Sequence, residues 1–141
     1  MRFQSGPHKG KEYAQVVLRQ PDAVIFQLGK YPAGKPAQEF DRLISVFDAK
    51  PFTATCYGCK SRATRATSYA NTPNLYFWCD DCDPYDHGAL PGKLTVIKTF
   101  RQAVRTASET KGDQRLIIKN LAEAKGCPKK LTAAAAVAFL P

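Results

Sequence analysis

Four cysteines in two close pairs constrain this chain more than any other feature. Cys56-Tyr57-Gly58-Cys59 and Cys79-Asp80-Asp81-Cys82 stand nineteen residues apart, a C-x2-C-x19-C-x2-C pattern. That is the spacing of a structural zinc site. Two residues between cysteines let a tight turn aim both sulfurs at one ion, and Gly58 eases the first turn. Residues 63–69 and 75–78 flank Asn71-Thr72-Pro73-Asn74 and predict a β-hairpin that carries the second turn back to the first. Cys56, Cys59, Cys79 and Cys82 are therefore expected to hold one Zn2+. Four thiolates leave no coordination position for water, so the expected role is structural rather than catalytic.

The remaining length bounds the rest. The chain has 141 residues, enough for one domain or for small modules around it. With 44% hydrophobic and 23% charged residues it is globular in composition, neither collagen-like nor a disordered acidic tail. The longest apolar run, residues 133–140, is too short for a bilayer span of roughly 20 residues. Residues 1–9 lack the apolar stretch of an export signal, so a reducing cytoplasm is the expected setting, where paired cysteines bind metal rather than join.

A net charge of +9 points to polyanionic partners, nucleic acid before any membrane. The surplus is uneven: eight Lys/Arg against five Asp/Glu in residues 1–55, three against four in 56–92, and ten against three in 93–141. This division suggests an N-terminal glycine–lysine module, a central cysteine-bearing hairpin and a basic helical C-terminal part, an α+β protein overall.

The pattern predicts helices over 12–19, ended by Pro21, and over 40–47, where Phe40, Leu43, Ile44 and Phe47 recur at helical spacing. Residues 94–107 read as a strand entering a helix. Asp113 is the expected N-cap of a helix over 114–125 with Gly126 closing it, and Thr132 that of a last helix through 140. Residues 80–92 read as an exposed connector.

Two segments resemble known families. Gly6-Pro7-His8-Lys9-Gly10-Lys11, followed by Val17, Pro21 and Phe26, resembles the small accessory module at the C-terminus of exodeoxyribonuclease X and related proteins. There the glycine–lysine turn precedes a short helix; Pro7 here replaces its first lysine, and Ala23 and Phe26 stand where tyrosine and tryptophan are usual. The resemblance covers residues 3–28 and implies a module that accompanies DNA-processing activity, without the acidic exonuclease core. The middle segment is similar to zinc ribbons, which serve nucleic-acid enzymes as binding or docking elements.

His8, Lys9 and Lys11 suit a phosphate, although a solvated basic turn reads the same way. Lys60, Arg62 and Arg65 lie among Tyr57, Tyr69, Tyr76, Phe77 and Trp78, as in surfaces that stack on bases while neutralising phosphates; the alternative is that these rings are core. Tyr76 and Trp78 share one strand face and are the stacking candidates. Lys98, Arg101 and Arg105 share helical spacing beside the apolar Ile97, Phe100 and Val104, and Lys125, Lys129 and Lys130 extend the positive field. Asp80, Asp81, Asp83, Asp86 and His87 form the acidic cluster, read as a solvated loop in preference to a second metal or hydrolytic centre. Cys127 is the fifth cysteine, read as a small loop or helix-end residue in preference to a reactive thiol whose pKa the basic flank lowers. The expected function is non-catalytic nucleic-acid binding, DNA before RNA and single strands before double. The alternative is a protein–protein adaptor that docks on a nucleic-acid-processing enzyme or another acidic partner.

Overall fold

The computed structural model describes residues 2–3, 9–69, 72–88, 94–109 and 113–141. The turn expected at Gly6-Pro7-His8 and the connector's residues 89–92 lie outside these. Three helices come first: α1 (Tyr13–Arg19), α2 (Pro21–Lys30) and α3 (Lys35–Ala49). α1 ends before Pro21, as expected, and Pro21 also begins the next helix. At the first helical position its missing N–H is no loss and its fixed φ is already helical. The expected stripe on α3 is buried in full, with Phe40, Leu43, Ile44 and Phe47 facing inward.

The sheet comprises β1 (Arg65–Tyr69), β2 (Thr72–Trp78) and β3 (Leu94–Ile97), antiparallel in the order β2-β1-β3. Ala66 lies opposite both Phe77 and Ile97, and a bulge falls between Ser68 and Tyr69. Thr72-Pro73-Asn74, expected in the hairpin loop, belong to β2.

Three helices complete the chain: α4 (Phe100–Glu109), α5 (Gln114–Glu123) and α6 (Ala133–Phe139). The expected caps are in place. Asp113 accepts from the N–H groups of Arg115 and Leu116 at 2.9 and 3.2 Å, and Thr132 from Ala135 at 3.1 Å. Gly126 turns at φ +97°, a left-handed conformation that glycine adopts without strain. Among the described residues no helix is long and apolar enough to cross a membrane.

One hydrophobic core runs from Phe3 to Leu140. Phe3 stacks on Tyr13 at 4.0 Å, and Tyr13 meets the edge of Phe40. Phe47 joins α3 to α4 and α6 through Phe100 and Phe139. Lys125, expected to extend the surface charge, is instead buried here. Its ammonium donates to the Phe47 carbonyl at 2.8 Å and lies over the Phe47 and Phe52 rings, and burial lowers its pKa.

The two faces of the sheet differ. Ala66, Phe77 and Ile97 face this core, whereas Trp78 forms a separate small cluster with Cys56 and Cys79. Alternation along β2 produces the split.

Candidate metal centre

The hairpin brings the four cysteines together. Their sulfurs all lie within 4.8 Å of one another, and Cys59 and Cys79 are 3.5 Å apart. A tetrahedral ion with sulfur ligands at about 2.3 Å places them about 3.8 Å apart, so the cluster fits one such ion. Among the described residues no other group of three His, Cys, Asp or Glu side chains is close enough to share an ion. The acidic cluster around Asp83 does not converge. Asp80 accepts from the Thr64 hydroxyl at 2.7 Å, and Asp83 caps a 3-10 turn (Pro84–His87) through the Tyr85 N–H.

Backbone contacts set the first turn. The Cys56 N–H donates to the Ser61 carbonyl, the Lys60 N–H to the Cys56 carbonyl, and the Gly58 N–H to the Cys56 sulfur at 3.3 Å. The Tyr57 N–H reaches across to the Phe77 carbonyl, tying this turn to β2.

As thiols, the four sulfurs divide. Burial pushes Cys56 up, but the N–H groups of Cys79, Cys59 and Gly58 outweigh it and hold the thiol at about 6. Ser61 lowers Cys59. The Asp81 N–H draws Cys79 down, yet the Cys59 sulfur and burial leave it raised, and the sulfurs of Cys56 and Cys59 push Cys82 well up. Two sites thus release protons readily and two hold them, and a cation shared by all four offsets that cost.

The 3-10 turn folds back over the first turn. A Cβ on Gly58 would stand 2.7 Å from His87 Nε2 and 3.1 Å from the Cys82 sulfur. Gly58→Ala is therefore expected to weaken metal affinity about tenfold or more, as disturbed supporting shells do, measured by competition with a chelator. Adding His87→Ala should recover only the part owed to the imidazole. Affinity equal to the parent protein would show that the site accommodates the methyl.

The nucleic-acid candidates scatter. Trp78 is 1% exposed, its Nε1 donating to Thr67 at 2.7 Å beneath Tyr57 and His87, so it offers no face to a base. Tyr76 is half-buried against the edges of Tyr57 and Tyr69. Arg65 donates to the Cys82 carbonyl at 2.8 Å and braces the second turn. Lys98 precedes α4 rather than lying on it. Thr99 and Gln102 form a capping box there, Gln102 Oε1 accepting from the Lys98 and Thr99 N–H groups and Thr99 Oγ1 from the Gln102 N–H. Arg101 pairs with Asp41 at 2.8 Å. Lys9, Lys11, Lys60, Arg62 and Arg105 are exposed, and His8 lies outside the described residues. Cys127 is buried, and burial raises its pKa, the opposite of the lowering that a reactive thiol beside the basic flank would need.

Sequence reasoning did not single out Phe26 and Tyr31 as exposed rings, and it named Tyr57 among the ribbon's aromatics without choosing it for stacking. Phe26, Tyr31 and Tyr57 are 67%, 57% and 56% exposed, and each has a lysine ammonium within about 6 Å of its centroid. The local signal was present in Phe26-x3-Lys30-Tyr31 and in Tyr57-x2-Lys60. No family model, curated protein or solved structure matches the chain.

Proposed function

We propose that this chain is a non-catalytic nucleic-acid-binding protein, an accessory or regulatory factor built on a zinc ribbon. Its four cysteines would hold one structural zinc ion. The bound ion supplies folding energy and fixes the two turns; the contacts to nucleic acid belong to side chains around them.

The observation that carries the reading is Lys60. Among the described residues it is the one non-glycine with positive φ, at +67°. A side chain there costs about 1 kcal/mol that glycine avoids. A lysine held in a glycine's conformation, exposed beside the cysteines with its ammonium 6.0 Å from the Tyr57 ring, suits a phosphate next to a stacked base. Arg62, two residues on, is exposed as well. Tyr57 takes the stacking role expected of Tyr76 or Trp78. Lys9, Lys11, Lys98 and Arg105 offer further cations, and the exposed Arg101–Asp41 pair is weak enough, about 0–1 kcal/mol, to yield to a phosphate.

Fluorescence anisotropy of the metal-loaded protein with single-stranded DNA, duplex DNA and RNA at two salt concentrations tests this. Binding should be tight at low salt, weaken steeply as salt rises and rank single-stranded DNA first. Lys60→Glu with Arg62→Glu should lower affinity and flatten the salt slope by roughly one unit for each phosphate no longer neutralised. Arg101→Glu with Arg105→Glu should do so too. No binding at low salt would overturn the reading. Unchanged binding in either variant would remove that face from it.

A second reading rests on Phe26 and Tyr31, exposed rings flanking Lys30 at 5.6 and 5.5 Å. They suit an adaptor's docking surface for an acidic protein. That reading requires a stable protein complex lost on Phe26→Ala, with nucleic-acid binding weak throughout.

A further inference from the structure

We propose that a cavity of about 400 Å3 between α1, α5 and the segment before α6 binds a compact amphipathic anion, an apolar body carrying one carboxylate or phosphate head. The volume lies in the range of small-ligand sites and is too small for a folded partner. This inference is independent of the nucleic-acid reading; of the cavity's residues only Lys129 also belongs to the positive field noted there.

The floor of the cavity is apolar, with Leu18 and Cys127 buried and Leu116 and Leu131 beside them. Around it stand four cations: Arg19, Arg115, Lys119 and Lys129. Two carboxylates also line it. Asp113 accepts from the N-terminal N–H groups of α5 and keeps its charge, so with Glu123 the two acids offset only part of the four cations and the lining stays net positive.

The cations are held or free in ways that suit a ligand. Arg19 donates to the Leu131 carbonyl, which fixes its guanidinium at the rim. Arg115 reaches Asp22 only at 3.7 Å. Lys119 and Lys129 make no ion pair among the described residues. Like charges gathered over an apolar floor repel one another, and an anionic head relieves that repulsion while its body covers the floor. A head without a body would leave the floor wet, and a body without a head would leave the cations unanswered. Both parts of the ligand are therefore required.

The test uses the metal-loaded full chain, in which Cys127 is the one cysteine outside the quartet. Octanoate and octyl phosphate are titrated calorimetrically, with octanol and inorganic phosphate as the body and the head alone. Alkylation of Cys127 by iodoacetamide reports occupancy of the floor. One or both octyl anions should bind one to one and slow the alkylation, and whichever binds tighter identifies the head group. Octanol and inorganic phosphate should bind at least about tenfold more weakly. Lys119→Glu with Lys129→Glu, two exposed positions, should cost about tenfold in affinity and abolish the protection, with Trp78 emission unchanged. The proposal fails if neither anion binds saturably, if octanol binds as well as the anions, or if the double reversal leaves affinity intact.

Discussion

Removing the metal with a strong chelator, or replacing Cys56 by serine, is expected to undo the hairpin. Trp78 is the chain's one tryptophan, and it packs on Cys56 and Cys79 under Tyr57 and His87, so its emission should shift to the red. The expected scale is large. Zinc held by such sites contributes about 10–16 kcal/mol to folding, against a net stability of about 5–15 kcal/mol for a typical domain. Without a cation, Cys79 and Cys82 also regain protons that their surroundings favour. The helical far-ultraviolet signal should fall less than the tryptophan signal, because the core that joins the described helices contains none of the quartet. Cobalt substitution adds an independent check, since four thiolates in a tetrahedron give intense charge-transfer and visible bands. A chelated protein whose tryptophan emission and thermal midpoint match the parent's would refute a structural metal.

Phe47→Ala should produce the next largest loss. The ring is fully buried and meets Phe100 at 5.4 Å and Phe139 at 6.4 Å, so three helices share it. Truncation leaves a cavity worth about 3–5 kcal/mol. It also removes a ring face from the buried Lys125 ammonium 4.8 Å away, an interaction worth up to about 2 kcal/mol when shielded from water. Urea denaturation should show the midpoint collapsing, with Phe47→Leu losing far less. Phe26→Ala, on an exposed ring, should stay within about 0.5 kcal/mol of the parent. A loss at Phe47 of under about 1 kcal/mol would mean that the core closes around the gap.

What the sequence disclosed was local chemistry. The quartet was legible because two residues between cysteines fix a turn, and the hairpin between the pairs requires nothing beyond alternation. Asp113, Gly126 and Thr132 were legible because a cap is a bond between near neighbours. Alternation also showed that Tyr76 and Trp78 share a face, but not which face the cysteine turns would cover; that depends on Tyr57 in the first turn and on His87 beyond the second, neither in the strand. Lys98 was misplaced through reading charge spacing ahead of capping, although Thr99-Phe100-Arg101-Gln102 spells a capping box. Lys125 looked like surface charge, since nothing local announces that the end of α3 will lie against it. The cavity floor joins Leu18 to Cys127 across most of the chain, and no window on the sequence contains both.

The placement of β1 between its two partners also fixes a difference in the cost of assembling the sheet. β2 follows it after two residues, so that pairing closes a very short loop, and the two cysteine pairs lie at the open end of the same hairpin. β3 arrives only after the second cysteine pair and the acidic turn, and its pairing with Ser68 and Tyr69 must close a loop many times longer. Loop-closure entropy grows with that length. The cysteine-bearing hairpin is therefore the cheaper nucleus, and β3, which leads into α4, recruits the C-terminal helices to a template already formed.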